Sequence, residues 1–172
     1  MSSKDQNLSK VSSDKLPNGK DWKIAIAVSE WNSDITERLS EACIQTLKDN
    51  GVQEDNLHIV NTPGSFELTF AAKALIKNII PDAVICLGCV IKGETQHDEY
   101  INNAVAQGLT QLGMVSNIPV IFGVLTVNNM EQALDRAGGQ HGNKGTECAH
   151  TALKMIALNK SFTKTKKSIG FD

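Results

Sequence analysis

Four short runs of nearly continuous apolar, β-branched character constrain this chain more than anything else in it: KIAIAV (23–28), NLHIV (56–60), DAVICLGCVI (82–91) and IPVIFGVL (118–125). A strand with one face in water alternates polar and apolar residues, whereas runs without that alternation read as strands buried on both faces of a parallel sheet. Between the runs, apolar residues recur at steps of three and four. Ile35, Leu39, Ala42, Cys43, Thr46 and Leu47 form one such stripe, stopped by Gly51, and 66–76 and 100–114 repeat the pattern. Two further helical segments are expected near 129–137 and 144–158. Strands that alternate with helices imply right-handed crossovers and a layered α/β domain around a four-stranded parallel sheet.

The chain of 172 residues is long enough for one domain with a real core and short for two. That domain is placed at 22–162, between a polar arm at 1–21, expected to be disordered, and a polar C-terminal tail at 163–172. With 41% hydrophobic and 21% charged residues and a net charge of -2, the sequence lacks the basic surplus that nucleic acid or anionic membranes select. The N-terminus carries no apolar segment for export, and the most apolar stretch, 79–91, is broken by Pro81, Asp82 and Gly88. Nucleic acid and membrane are therefore not expected partners. The cytoplasm is the expected compartment, with Cys43, Cys86, Cys89 and Cys148 as free thiols.

In a parallel α/β sheet, ligands bind beyond the carboxyl ends of the strands. That rule selects four loops: 29–34, 61–67, 90–97 and the region after Phe122. In the first, Trp31 reads equally as a stacking platform for a flat heterocycle and as a rim aromatic covering the sheet edge. In the second, Pro63 and Gly64 precede a helix whose first turn is expected to hold Ser65, Phe66 and Glu67, with Glu67 either receiving ligand hydroxyls or serving the helix as a dipole or capping residue. In the third, Gly93 frees the backbone, Thr95 and Asp98 match a capping pattern, and the helix start that follows can hold an anion. His97 stands in that first turn, where the helix dipole favours a neutral imidazole suited to proton exchange; a lone histidine there is also compatible with an exposed residue of no role. In the fourth, Phe122 offers a second aromatic, and Arg136 and Lys144 offer cations that can grip phosphate. Taken singly, Phe122 reads as core and Arg136 as a solvated charge on a helix face.

Cys86 and Cys89 form a C-x-x-C, a spacing associated with zinc and with redox chemistry. Within a strand, however, residues three apart point to opposite faces, so the pair cannot readily share one ion or close a disulfide. No second C-x-x-C or H-x3-5-H supplies further metal ligands. Buried thiols are the expected state, and no metal site is assigned.

Taken together, PGSFEL, GCVIKGETQH, PVIFGVLT and RAGGQHGNKGTECA, in this order across about 23–162, resemble the lumazine synthase family. The resemblance implies a flavodoxin-like three-layer αβα sandwich and a transferase of riboflavin biosynthesis that uses no metal or organic cofactor. Its two small-molecule substrates would be 5-amino-6-(D-ribitylamino)uracil and 3,4-dihydroxy-2-butanone 4-phosphate. By the same resemblance, Trp31 stacks on the pyrimidine; Ser65, Phe66 and Glu67 line the ribityl and pyrimidine site; and the backbone at Cys89, Val90 and Ile91 holds the uracil edge. Glu94, Thr95, Arg136 and Lys144 would receive the phosphate, and His97 would move protons. Phe122 would close the pocket from a neighbouring subunit of a homo-oligomer, a pentamer for which the short 136–143 loop also allows a sixty-subunit capsid. Association with riboflavin synthase belongs to the same implication. The chain departs from common members at Lys92, where many have Arg, in the run Asp98-Glu99-Tyr100, and in its longer arm. Two other classes compete: a non-catalytic flavin or pteridine binder on the same scaffold, and a metal or redox protein built on the C-x-x-C.

Overall fold

The computed structural model describes Ser9 and residues 16–165, without the side chains of 163–165. Strand β1 (Ile24–Ser29) leads to helix α1 (Ser33–Asp49), a 3-10 turn (Glu54–Asn56) and β2 (Leu57–Thr62). Helix α2 (Leu68–Ile79), β3 (Ala83–Ile91), α3 (His97–Ser116) and β4 (Val120–Val127) follow. The chain closes with α4 (Met130–Arg136), a small hairpin of β5 (Ala137–Gly139) and β6 (Gly142–Asn143), and α5 (Lys144–Thr165). The four long strands pair in parallel in the order β2-β1-β3-β4. That order, with helices on both faces, is the flavodoxin-like arrangement.

Period-two alternation sorts the strand residues into two cores. Ile24, Ile26 and Val28 of β1 and Ile85, Leu87 and Cys89 of β3 face α1 and α5, meeting Leu39, Leu47, Leu153 and Ile156. Ala25, Ala27, Val84, Cys86 and Val90 face α2 and α3, meeting Leu68, Leu75, Val105 and Leu109. Each fully buried Leu or Ile in these layers contributes about 1.5–3 kcal/mol of transfer free energy, so the two faces together fix the register of every central strand. Cys86 and Cys89 fall in different cores, on opposite faces of β3, as their spacing within a strand requires.

The structure corrects several expectations. Burial on both faces holds for β1 and for β3 short of its last residue, but β2 and β4 are the two edge strands: β2 exposes Ile59 and Val60 at 45% and 37%, and β4 exposes Phe122 and Thr126. Which two of the four similar apolar runs lie at the edges is decided by strand order, not by composition. The β5–β6 hairpin was not foreseen, since three residues of Ala-Gly-Gly carry no strand pattern. Of the 1–21 arm, residues 1–8 and 10–15 lie outside the described residues. Leu16 packs partly buried against the α1/α5 core, and the buried Gly19 donates its N–H to the Asn50 carbonyl at 2.8 Å. Of the 163–172 tail, α5 takes in residues up to Thr165, and 166–172 lie outside the described residues. Gly51 does end α1: it takes φ +91°, and Val52 N–H closes onto the Leu47 carbonyl at 3.1 Å. Among the described residues no helix is long and apolar enough to cross a membrane.

The buried thiols carry a testable consequence. Burial pushes Cys86 and Cys148 up to about 12 and Cys89 up to about 11, and Cys43 is raised in the same direction. Thiolate is thus withheld in the folded state, and alkylation at pH 8 should be negligible until denaturant is added. Stability from these neutral thiols is complete below the ordinary thiol value of 9.0 and is lost as pH rises from there toward about 12. A thiol count under native and denaturing conditions, with melts at pH 8 and 10, checks both statements.

Candidate active site

The carboxyl ends of β1, β2 and β3 open into one cavity of about 510 Å³. The β1 loop enters it through Asn32, which holds the left-handed conformation at φ 61° and ψ 47° as the N-cap of α1. Asparagine is one of the few residues that tolerate this backbone. Its Nδ2 donates to the Cys89 carbonyl at 2.9 Å, and the Glu30 N–H donates to the Thr62 carbonyl at 2.8 Å. These two bonds lock the three strand ends together. They leave Trp31 on the cavity wall, 71% exposed.

The β2 loop contributes Ser65, Phe66 and Glu67. They lie in the turn ahead of α2, not in its first turn as expected, since the helix proper begins at Leu68. Glu67 makes no side-chain cap hydrogen bond, so it does not cap α2; its exposed carboxylate stands at the N-cap position, where it meets the helix dipole, and borders the cavity. Ser65 is 7% exposed, and its Oγ has no hydrogen-bond partner among the described residues. The hydroxyl rests against Gly88 of β3, where an added Cβ would stand 2.6 Å from it. A buried hydroxyl without a partner costs roughly 1–3 kcal/mol, so a cavity-lining one is built to receive a polar ligand atom.

The β3 loop brings Thr95 and His97 to the same cavity, beside open space at Gly93. The capping pattern read from Thr95 and Asp98 is not made: the N-cap of α3 is Gln96, and no side chain caps it. Two consequences follow. No side chain covers the His97 and Asp98 N–H groups at the start of α3, whereas Glu99 N–H turns back to the Gln96 carbonyl at 3.1 Å, and Asp98 borders the cavity, its Oδ1 buried without a partner among the described residues.

Nine of the expected residues thus meet in one place: Trp31, Ser65, Phe66, Glu67, Cys89, Val90, Ile91, Thr95 and His97. Four do not. Glu94 is exposed outside the lining. Phe122 lies within β4, in register with Cys86 and well short of the carboxyl edge; it is 37% exposed and lines a separate groove of about 610 Å³ with Lys144. Arg136 is not the solvated charge its helix suggested. Its Nη2 meets Glu147 Oε1 at 2.7 Å and its Nη1 donates to the His141 carbonyl at 2.6 Å. Among the described residues no Lys or Arg lines the cavity, whose charged or titratable polar groups are Glu67, His97 and Asp98. Sequence reasoning missed Asn32 and Glu147. The signal for Asn32 was its tolerance of left-handed backbone just before a helix, and for Glu147 its three-residue spacing from Lys144.

A doubly wound parallel sheet with an aromatic-walled polar cavity at its carboxyl edge defines a small-ligand α/β protein, the class in which loops at strand ends do the binding. The family model described as 6,7-dimethyl-8-ribityllumazine synthase matches residues 21–160, and the chain belongs to that family of enzymes. A 6,7-dimethyl-8-ribityllumazine synthase from Porphyromonas gingivalis is 52% identical, over 90% of this chain and 96% of the relative. One from Cytophaga hutchinsonii is also 52% identical, over 91% and 98%. One from Bacteroides fragilis is 52% identical over 80% of this chain and 99% of its own length.

Proposed function

We propose that this chain condenses 5-amino-6-(D-ribitylamino)uracil with 3,4-dihydroxy-2-butanone 4-phosphate, giving 6,7-dimethyl-8-ribityllumazine, phosphate and water in riboflavin biosynthesis. The observation that carries the reading is the cavity itself, with Trp31 and Phe66 as aromatic surfaces, the unpartnered Ser65 hydroxyl, the Glu67 carboxylate and His97 around one space. Its lack of cations suits a neutral, hydroxyl-rich pyrimidine. The 5-amino nitrogen attacks the butanone carbonyl, water leaves to give an imine, phosphate is eliminated, and the ribitylamino nitrogen closes the ring with loss of a second water. His97 carries protons between these steps, and holding the two reactants together supplies most of the acceleration. The Cys89 carbonyl accepts one bond from Asn32 and keeps a second lone pair, and the backbone at Cys89, Val90 and Ile91 is the main-chain edge for the uracil.

Phosphate requires positive charge, and the expected cations lie away from the cavity, with Phe122, near the β4 edge. This separation supports a composite site, in which one chain offers the cavity and a neighbour offers Phe122, Arg136 and Lys144. Large exposed apolar side chains fit such packing: Phe70 at 77%, Met114 at 76% and Phe162 at 66%. Because the two contributing surfaces differ, contact is head-to-tail and closes as a ring, for which a pentamer, alone or within a sixty-subunit shell, is our reading. Light scattering separates the two. Association with riboflavin synthase and residence in the cytoplasm complete the proposal.

The deciding experiment mixes both substrates with the protein and follows lumazine fluorescence. A pteridine binder without activity would retain product and make none. Trp31 supplies a further readout. Binding of the lumazine product should quench its emission, and the quench should vanish in Trp31→Phe, while the partly buried Trp22 stays unaffected. Undiminished quenching in that variant would remove Trp31 from the stack.

A further inference from the structure

Arg136 and Lys144 share a single carboxylate. Glu147 Oε1 stands 2.7 Å from Arg136 Nη2 and Oε2 stands 3.4 Å from Lys144 Nζ, with side-chain exposures of 15% for the glutamate, 18% for the arginine and 29% for the lysine. We propose that Glu147 is a positioning residue for phosphate, fixing the Arg136 guanidinium in place and holding the Lys144 ammonium beside it. This inference rests on the reading that phosphate binds at Arg136 and Lys144.

The geometry separates the two cations. Arg136 is held on two sides, by the Glu147 carboxylate in an ion pair at 2.7 Å whose angle makes no hydrogen bond and by a hydrogen bond to the His141 carbonyl at 2.6 Å, so four of its five N–H groups remain for an anion. Lys144 is held at one longer contact and keeps donors free to turn toward a ligand. The anchor points come from different elements: Arg136 ends α4, Glu147 lies in the first turn of α5, and His141 sits between β5 and β6. Partial burial of all three side chains sets this cluster apart from exposed pairs, which exchange freely and contribute little.

A carboxylate beside a phosphate site opposes the anion by simple Coulomb repulsion, so its presence needs a reason. Two cations and one carboxylate leave one net positive charge, and without the carboxylate the cations repel each other and splay. Charge and position therefore make opposite forecasts. If Glu147 acted only through its charge, removing it would tighten phosphate binding; if it positions the cations, removing it loosens phosphate.

The test measures inorganic phosphate as an inhibitor competitive with the butanone phosphate, together with KM for each substrate, in wild type, Glu147→Ala, Glu147→Asp and Arg136→Ala. Glu147→Ala should raise the phosphate inhibition constant and the KM for butanone phosphate about tenfold, the loss of roughly one charge-assisted contact, with KM for the ribitylaminouracil unchanged. Glu147→Asp keeps the charge but withdraws the oxygens by one methylene, and it should weaken phosphate in the same direction, which keeps the test open should the alanine variant fail to fold. An unchanged or lowered inhibition constant in the folded variants overturns the inference. An unchanged constant in Arg136→Ala instead overturns the phosphate assignment itself, and the role of Glu147 falls with it.

Discussion

Replacing His97 with alanine should lower kcat roughly 10²- to 10⁴-fold and leave measurable turnover. The imidazole opens α3 and borders the cavity, where each of the proposed dehydrations and the phosphate elimination has a proton to move. The residual rate is as informative as the loss. Two reactants held in attack geometry keep an effective-concentration advantage that no single side chain supplies, so the variant should still outpace the mixed substrates in buffer. KM for both substrates should change little, because the imidazole is asked to act in the transition state more than in binding. Steady-state kinetics settles this, and a variant with wild-type kcat would take His97 out of the mechanism.

The second large effect is on stability. Gly145, in the first turn of α5, lies against α1 so closely that an added Cβ would fall on the Leu39 carbonyl oxygen and within 2.7 Å of its carbonyl carbon. Both atoms are backbone inside a helix and cannot turn aside as a side chain could. Alanine normally gains about 1 kcal/mol over glycine within a helix. Here overpacking of about 3 kcal/mol or more exceeds that gain and should lower Tm by on the order of 10 °C. Since α5 also carries Lys144 and Glu147 in that same turn, the folded fraction should show weakened phosphate inhibition. A Gly145→Ala protein melting at the wild-type temperature would mean that the two helices are not locked at this point.

Much of the fold was legible because its strongest determinants are local. Continuous β-branched runs announce strands, three- and four-residue steps announce helices, and period two alone placed Cys86 and Cys89 on opposite faces. The exposure of Ile59 and Val60 was not legible, since NLHIV looks as apolar as its siblings until strand order puts it at the edge. The candidate site was legible where residues lie at strand ends, as with Trp31, Ser65 and His97. It was illegible where function depends on contacts distant in sequence. Asn32 reaches Cys89 across 57 positions, and Phe122, though picked out, lies in the amino-terminal half of its strand and faces a different groove. Glu147 lay within a motif already noticed, yet nothing local said that both cations would converge on it.

The distance between the cavity and its expected cations has one more implication. On the composite reading, each chain carries the phosphate grip of its neighbour, so a damaging change at Arg136 spares the mutant's own cavity and disables the one next door. A change at His97 does the reverse. The unit on which selection acts at this site is then the contact between two chains, and in a mixed ring two different defects can meet on one face and leave another whole.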